Sequence, residues 1–169
     1  MKDMKSELHL LIIWENSRYK SELILEELKK KFTIREIFEV KWNDNEFTKN
    51  LKRFYGVTLP DPHKKMIQCG KGPFLVILIT DQYPKYEKRN TSLGKQNVNV
   101  NVYDIKRKFR TMIDGEYPIH GSIHEKEANH DLILLFGKNI HDLEKTISKE
   151  WDGEIKKNTG DFFGSKKWN

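Results

Sequence analysis

His120 stands in the stretch GEYPIHGSIHEKEANHDLILLFG, residues 115–137, beside a glycine and a serine and just ahead of an amphipathic segment that carries an acid. An imidazole so placed can serve as base or nucleophile, or can join His124 and His130 as a metal ligand; the plain alternative is an ordinary loop residue. Asp131 is the misfit of the following segment. Helical periodicity makes Ala128, Leu132, Leu135 and Phe136 an inward stripe, and Asp131, three after Ala128 and four before Leu135, lies on or beside it. An unpaired buried carboxylate is costly. Asp131 therefore either orients a histidine whose other ring nitrogen reacts, or turns outward into water. For a metal, His120 precedes the helix and the three histidines lack a tight ligand spacing, so no protein-held ion is expected.

The basic side chains point to what such a histidine would meet. Lys and Arg total 31 against 25 Asp and Glu, a net charge of +6, with clusters at KKK (29–31) and KRKFR (106–110). An anionic partner follows, and nucleic acid, an acidic surface or a phosphorylated small molecule would each suit it. The guanidinium groups of Arg107 and Arg110 can clamp phosphate oxygens in bidentate fashion, or KRKFR is a solvated helix face. GKG at 70–72 reads as a turn, without the length or the Lys-Ser/Thr ending of a phosphate-binding loop. Trp14, at a strand end, is core or a stacking surface for a ligand ring.

Elements that could position these residues follow from periodicity. The apolar run LHLLIIW (8–14) reads as a buried strand, RYKSELILEELKKKF as an amphipathic helix with Leu25, Leu28 and Phe32 in register, and TIREIFEVKW (33–42) as a half-buried strand with Ile34, Phe38, Val40 and Trp42 on one face. NDNEFTKNLKRFYG opens on capping residues and closes on glycine, as a short helix does. LPDPHKK reads as a proline-punctuated connection, and GPFLVILIT (72–80) as a central strand covered on both faces. From about 82 to 115 the signals conflict, NVNVNVY alternating like a strand and DIKRKFRTMI recurring like a helix, so an irregular insertion is placed there. A helix over Glu125 to Phe136 follows, then a last helical piece IHDLEKTISKEW. The order suits an α/β (α+β) sandwich of ferredoxin-like type with an antiparallel sheet: one domain over 1–152 and a C-terminal tail over 153–169.

The single cysteine, Cys69, allows no internal disulfide and fits a cytoplasmic protein. The run Leu8 to Trp14 is far too short to span a bilayer, so no membrane partner is expected.

IHGS followed by EANHDLILLF resembles the active-site segment of the nucleoside diphosphate kinases, Asn-x-Ile-His-Gly-Ser-Asp-Ser and then a helix carrying a glutamate. In that family the histidine is phosphorylated during turnover, the serine hydrogen-bonds nearby, and the glutamate eleven positions on orients the ring. Here that position is Asp131. HLLIIW with SELILEELKKKF is similar to the family's first strand and helix, and GPFLVILITD to its Gly-Pro strand. Counting from that Gly-Pro, Arg89 in KRNTSLG falls where the family places a phosphate-binding arginine, and Tyr55 in RFYG resembles the tyrosine lining the phosphate site. The likeness covers about residues 8–137. It departs at the first strand's Lys-Pro-Asp ending, here Trp14, Glu15 and Asn16; at the asparagine before the histidine, here Tyr117; and at Ser-Asp-Ser, here Ser122, Ile123 and His124.

The resemblance implies a nucleotide or other phosphorylated small molecule as ligand, accompanied by Mg2+, and phosphoryl or nucleotidyl transfer through His120. Asp131 would orient the ring, Ser122 would bond nearby, and Tyr55, Arg89, Arg107 and Arg110 would contact phosphate. A rival of another class is a catalytically silent domain that senses a nucleotide or contacts nucleic acid. Homo-oligomerisation stays open.

Overall fold

The computed structural model describes residues 5–56, 59–113 and 119–158. Its framework is a sheet of five strands in the order β6-β1-β3-β2-β7. Strands β1 (Glu7–Ile13) and β3 (Phe74–Asp81) are buried along their whole length, as two nearly continuous apolar runs should be when both sheet faces are covered. They pair antiparallel, β2 (Thr33–Val40) lies antiparallel on the far side of β3, and β6 (Ile119–Gly121) lies antiparallel beside β1. With α1 (Ser21–Lys31) between β1 and β2 and α4 (Val100–Met112) leading into β6, the chain traces the β-α-β-β-α-β order of a ferredoxin-like core.

Alternation along β1 divides the core in two. Leu11 and Ile13 face α1 and α4, packing with Ile24, Leu28, Val102, Ile105 and Phe109. Leu8, Leu10, Ile12 and Trp14 face the opposite layer, formed by α2 (Phe47–Tyr55), α3 (Pro62–Cys69), α5 (Glu125–Phe136) and α6 (Ile140–Glu144). Trp14 is the hub there, its ring centroid 4.8 Å from Phe74 and 5.9 Å from Trp42. It is core, fully withdrawn from solvent.

Several sequence expectations change. Ile34 does not share a face with Phe38, Val40 and Trp42: the register against β3 shifts between Ile34 and Glu36, and this bulge sends Ile34 to the α1 side. LPDPHKK is not merely a connection, because Asp61 caps Lys64 N at 3.0 Å and Pro62 takes the first helical position, so α3 begins inside it. Residues 82–113 are regular rather than an irregular insertion; 114 and 115 lie outside the described residues. Residues 82–113 hold a hairpin of β4 (Tyr86–Thr91) and β5 (Gly94–Asn99) and then α4. The strand-like alternation ends where the Asn99 side chain accepts from the backbone N–H of Asn101 and Val102, which caps α4 and changes the period from two to 3.6. The last helical piece is short, five residues of α6. Beyond it, residues 155–157 of the expected tail form β7 (Ile155–Lys157), parallel to β2.

A buried polar chain ties the start of α4 to the sheet. Glu7 Oε1 accepts from Asn99 Nδ2 and meets His9 Nε2, both at 3.0 Å, while Tyr86 donates to the same carboxylate. Burial pushes Glu7 up, and the bonds from His9, Tyr86 and Asn99 more than offset it, leaving its carboxyl below the usual value.

Candidate active site

The sheet ends at β6, and the chemistry collects there. His120 pairs across from Ile12, so its side chain leaves the sheet on the α2 and α5 side. Two rings hold it edge-on: Phe54 at 4.9 Å and Tyr55 at 5.2 Å between centroids, with interplanar angles of 78° and 83°. Its Nε2 lies 2.6 Å from Asp131 Oδ2. A carboxylate only accepts, so Nε2 carries a proton, and in the neutral ring Nδ1 carries the lone pair. Asp131 is fully buried and bonded to the imidazole rather than turned outward into water.

The helix bearing Asp131 is fixed at both ends. His124 Nδ1 accepts from Glu127 N, and the Glu127 carboxylate accepts in return from Ile123 N, a reciprocal arrangement close to a capping box; Gly137, at φ 71°, closes the C-terminus. Asp131 has a second imidazole partner: Oδ1 lies 3.0 Å from His130 Nδ1. That bond holds the half-exposed His130 ring above the usual histidine range, against the pull of burial.

His120 opens on a cleft of about 960 Å³. One wall is α3 with Asp61, Lys64 and Lys65. The tip of the β4–β5 hairpin, residues 91–93, contributes to the rim. Helix α4 supplies Tyr103, Lys106, Arg107 and Arg110, and α5 supplies Lys126, Glu127 and His130. Six cationic side chains thus line one concavity with the imidazole. Burial lowers the Lys65 ammonium, which sits 5.2 Å over the Tyr55 ring, and pushes Lys106 down to about 8. Tyr55 is driven well above its ordinary value, first by burial and then by Cys69, Asp131 and Glu127, so it remains a neutral hydroxyl.

Of the residues singled out from sequence, His120, Tyr55, Arg107 and Arg110 line the cleft and Asp131 joins them through His120. Two do not. Ser122 is fully buried just past the end of β6, its hydroxyl 3.0 Å from His9 Nδ1 and 3.1 Å from Leu10 N, so it fastens this end of β6 to β1 rather than bonding to His120. Arg89 pairs with Glu87 along β4 and is not among the cleft's lining residues, because the hairpin turns Asn90 and Thr91 to the cleft instead. The histidines do not converge as a metal set, since His124 caps α5 while His120 and His130 share Asp131. Tyr117 lies outside the described residues. Sequence reasoning passed over Lys106, although Tyr103, Lys106, Arg107 and Arg110 recur at i, i+3, i+4 and i+7 beside the inward Val102, Ile105 and Phe109, which marks a basic helix flank.

No family model matches the sequence, and no curated protein matches it. Among solved structures the chain is similar to the nucleoside diphosphate kinase of Aquifex aeolicus in an orthorhombic crystal form, at 12% identity and a TM-score of 0.50, over 78% of this chain and 95% of that one. The fold is nucleoside-diphosphate-kinase-like. A nucleoside-diphosphate-kinase-like sandwich with β6 at its edge accounts for the strand order and for a helix directly after the histidine strand.

Such a fold raises the question of magnesium. His120, Glu127 and Asp131 offer ligand atoms within 4.8 Å of one another. Yet both Asp131 oxygens are engaged by imidazoles and one Glu127 oxygen by Ile123 N. The cluster's oxygens are thus largely engaged by the protein itself, and the acids that line the cleft are Glu127 and Asp61. Among the described residues no helix is long and apolar enough to cross a membrane.

Proposed function

We propose that the cleft binds a nucleotide or a similar phosphorylated small molecule and transfers its terminal phosphoryl group through His120. The observation that carries this reading is the pairing of His120 with the buried Asp131, which directs the lone pair of Nδ1 to the ring nitrogen away from the carboxylate, on a cleft with six cations. In the step proposed, Nδ1 attacks the terminal phosphorus, an N–P bond forms, and the P–O bond to the leaving group breaks with its electron pair remaining on the departing oxygen. No proton has to leave Nδ1. The ring gains positive charge with its proton still on Nε2, and Asp131 offsets that charge. Arg107 and Arg110, which line the cleft, would meet non-bridging oxygens. Magnesium accompanying the phosphates would supply further charge neutralisation. Return of the phosphoryl group to an acceptor oxygen restores the free imidazole.

Intact-mass analysis after incubation with magnesium nucleoside triphosphates tests the reading, with His120→Ala alongside. An acid-labile gain of one phosphate, absent from the variant, is expected. No adduct with any triphosphate would defeat the transfer step. The same basic cleft also suits a silent sensor or a nucleic-acid contact; that reading gains if His120→Ala keeps the wild-type ligand affinity while no adduct forms, and a steep fall of affinity with salt would specify nucleic acid.

A further inference from the structure

Four of the cleft's cations, Lys64, Arg107, Arg110 and Lys126, are exposed, and Lys65 lies over the Tyr55 ring. Lys106 differs. Its alkyl stem crosses the α4 side of Gly121, the residue after His120, so closely that a Cβ on Gly121 would stand 2.8 Å from Lys106 Cδ and 2.9 Å from Cγ. Its ammonium donates to the Gly121 carbonyl at 2.9 Å. An ammonium has three N–H donors, and among the described residues that is the one hydrogen bond it makes.

We propose that Lys106 is the cation that meets the anion bound at His120: one N–H holds the strand carrying the histidine, and the remaining two are left for a phosphate oxygen. This deepens the reading of His120 as the group that phosphate approaches, and rests on it for the identity of the ligand. Gly121 belongs to the same device, because any larger residue would lift the lysine stem away from β6. The charge is carried by a partly buried group, where an opposite charge counts for more than at the surface. Groups facing it from each neighbouring element are Glu127 and Asp131 on α5, which favour the ammonium, Arg110 on α4 and Lys65 on α3, which oppose it, and His120 on β6. Burial is the largest influence and brings its titration to about 8, well within reach of experiment.

Calorimetric binding of inorganic pyrophosphate, at pH 7 and pH 9, to the wild-type chain, Lys106→Met, Lys106→Arg and Gly121→Ala is the test, run beside the phosphate-gain assay. Titration of pyrophosphate itself is common to every variant and cancels in the affinity ratios. At pH 7, Lys106→Met should bind roughly 10- to 100-fold more weakly, as loss of a charge-assisted contact requires, and Gly121→Ala should weaken binding in the same direction. Relative to Lys106→Arg, which stays charged throughout, the wild type should lose affinity between pH 7 and pH 9. Wild-type affinity in Lys106→Met, or a wild-type to arginine-variant ratio that does not change with pH, overturns the assignment. So does a wild-type chain that binds no pyrophosphate. If the wild type gains no phosphate from any triphosphate while its affinity still follows Lys106, the transfer reading fails and the Lys106 site stands; if phosphate is gained and Lys106→Met binds normally, the reverse holds.

Discussion

At the scale of single residues, Asp131 does two things at once, because each of its oxygens faces a different imidazole. Replacing it with Asn keeps the shape and removes one acceptor. With the amide NH2 toward His120 nothing accepts from Nε2, and the ring proton shifts to Nδ1, leaving no lone pair there to attack. Asp131→Asn should therefore slow the gain of phosphate on His120 roughly 10- to 100-fold, the usual cost of losing an orienting partner; an unchanged rate would show that Asp131 does not set the tautomer. The same substitution should bring His130 back down toward the ordinary histidine range, which an NMR titration reads directly. The sign is that of a raised base: the His130–Asp131 pair contributes stability below the ordinary histidine value, and this fades as pH rises through the elevated one. The His120–Asp131 pair was legible in the sequence because helical periodicity placed an acid on a buried stripe and a buried charge requires a partner. Ser122 and Arg89 were misjudged for a common reason. Neither the facing of a residue just past a three-residue strand that ends at Gly121 nor that of a hairpin is encoded by spacing to His120.

At the scale of elements, the decisive switch is at Asn99, where strand gives way to helix in the middle of a perfectly alternating run. Its carboxamide oxygen caps α4 while its Nδ2 reaches the buried carboxylates of Glu7 and Asp81 at 3.0 and 2.9 Å. Asn99→Ala removes the cap and leaves buried acceptors short of a donor, a combined loss of roughly 2 to 4 kcal/mol. Urea denaturation measures it; a loss under about 0.5 kcal/mol, the level of a surface change, would show the cap to be incidental. Long apolar strands and the α5 stripe were readable because one period dominates them. The region from 82 to 113 was not, since local alternation and long-range capping disagree and only the tertiary partners of Asn99 decide between them. Proline misled in the same way at α3: it signals a break in general and a helix start when a capping acid precedes it.

At the scale of the whole molecule, both faces of the sheet are filled, and the layer behind His120 is an aromatic cluster centred on Trp14. A lysine in that position would put an ammonium inside this buried cluster. Trp14→Lys should unfold the chain rather than improve catalysis: losing the indole costs about 3 to 5 kcal/mol, and an unpaired buried ammonium several more, against a total stability of about 5 to 15 kcal/mol. A folded Trp14→Lys protein with faster phosphate gain, by circular dichroism and mass, would contradict this. The two margins of the sheet are unequal. At one, β6 carries the candidate site; at the other, β7 lies parallel along β2, and Lys156 reaches the Glu36 carboxylate at 2.7 Å. An exposed strand margin is a template on which another chain can polymerise, and here the protein's own late segment occupies that template. Two copies can therefore join their sheets through β2 only by strand exchange, each releasing its β7 first, so such a domain-swapped pair would form and dissociate slowly.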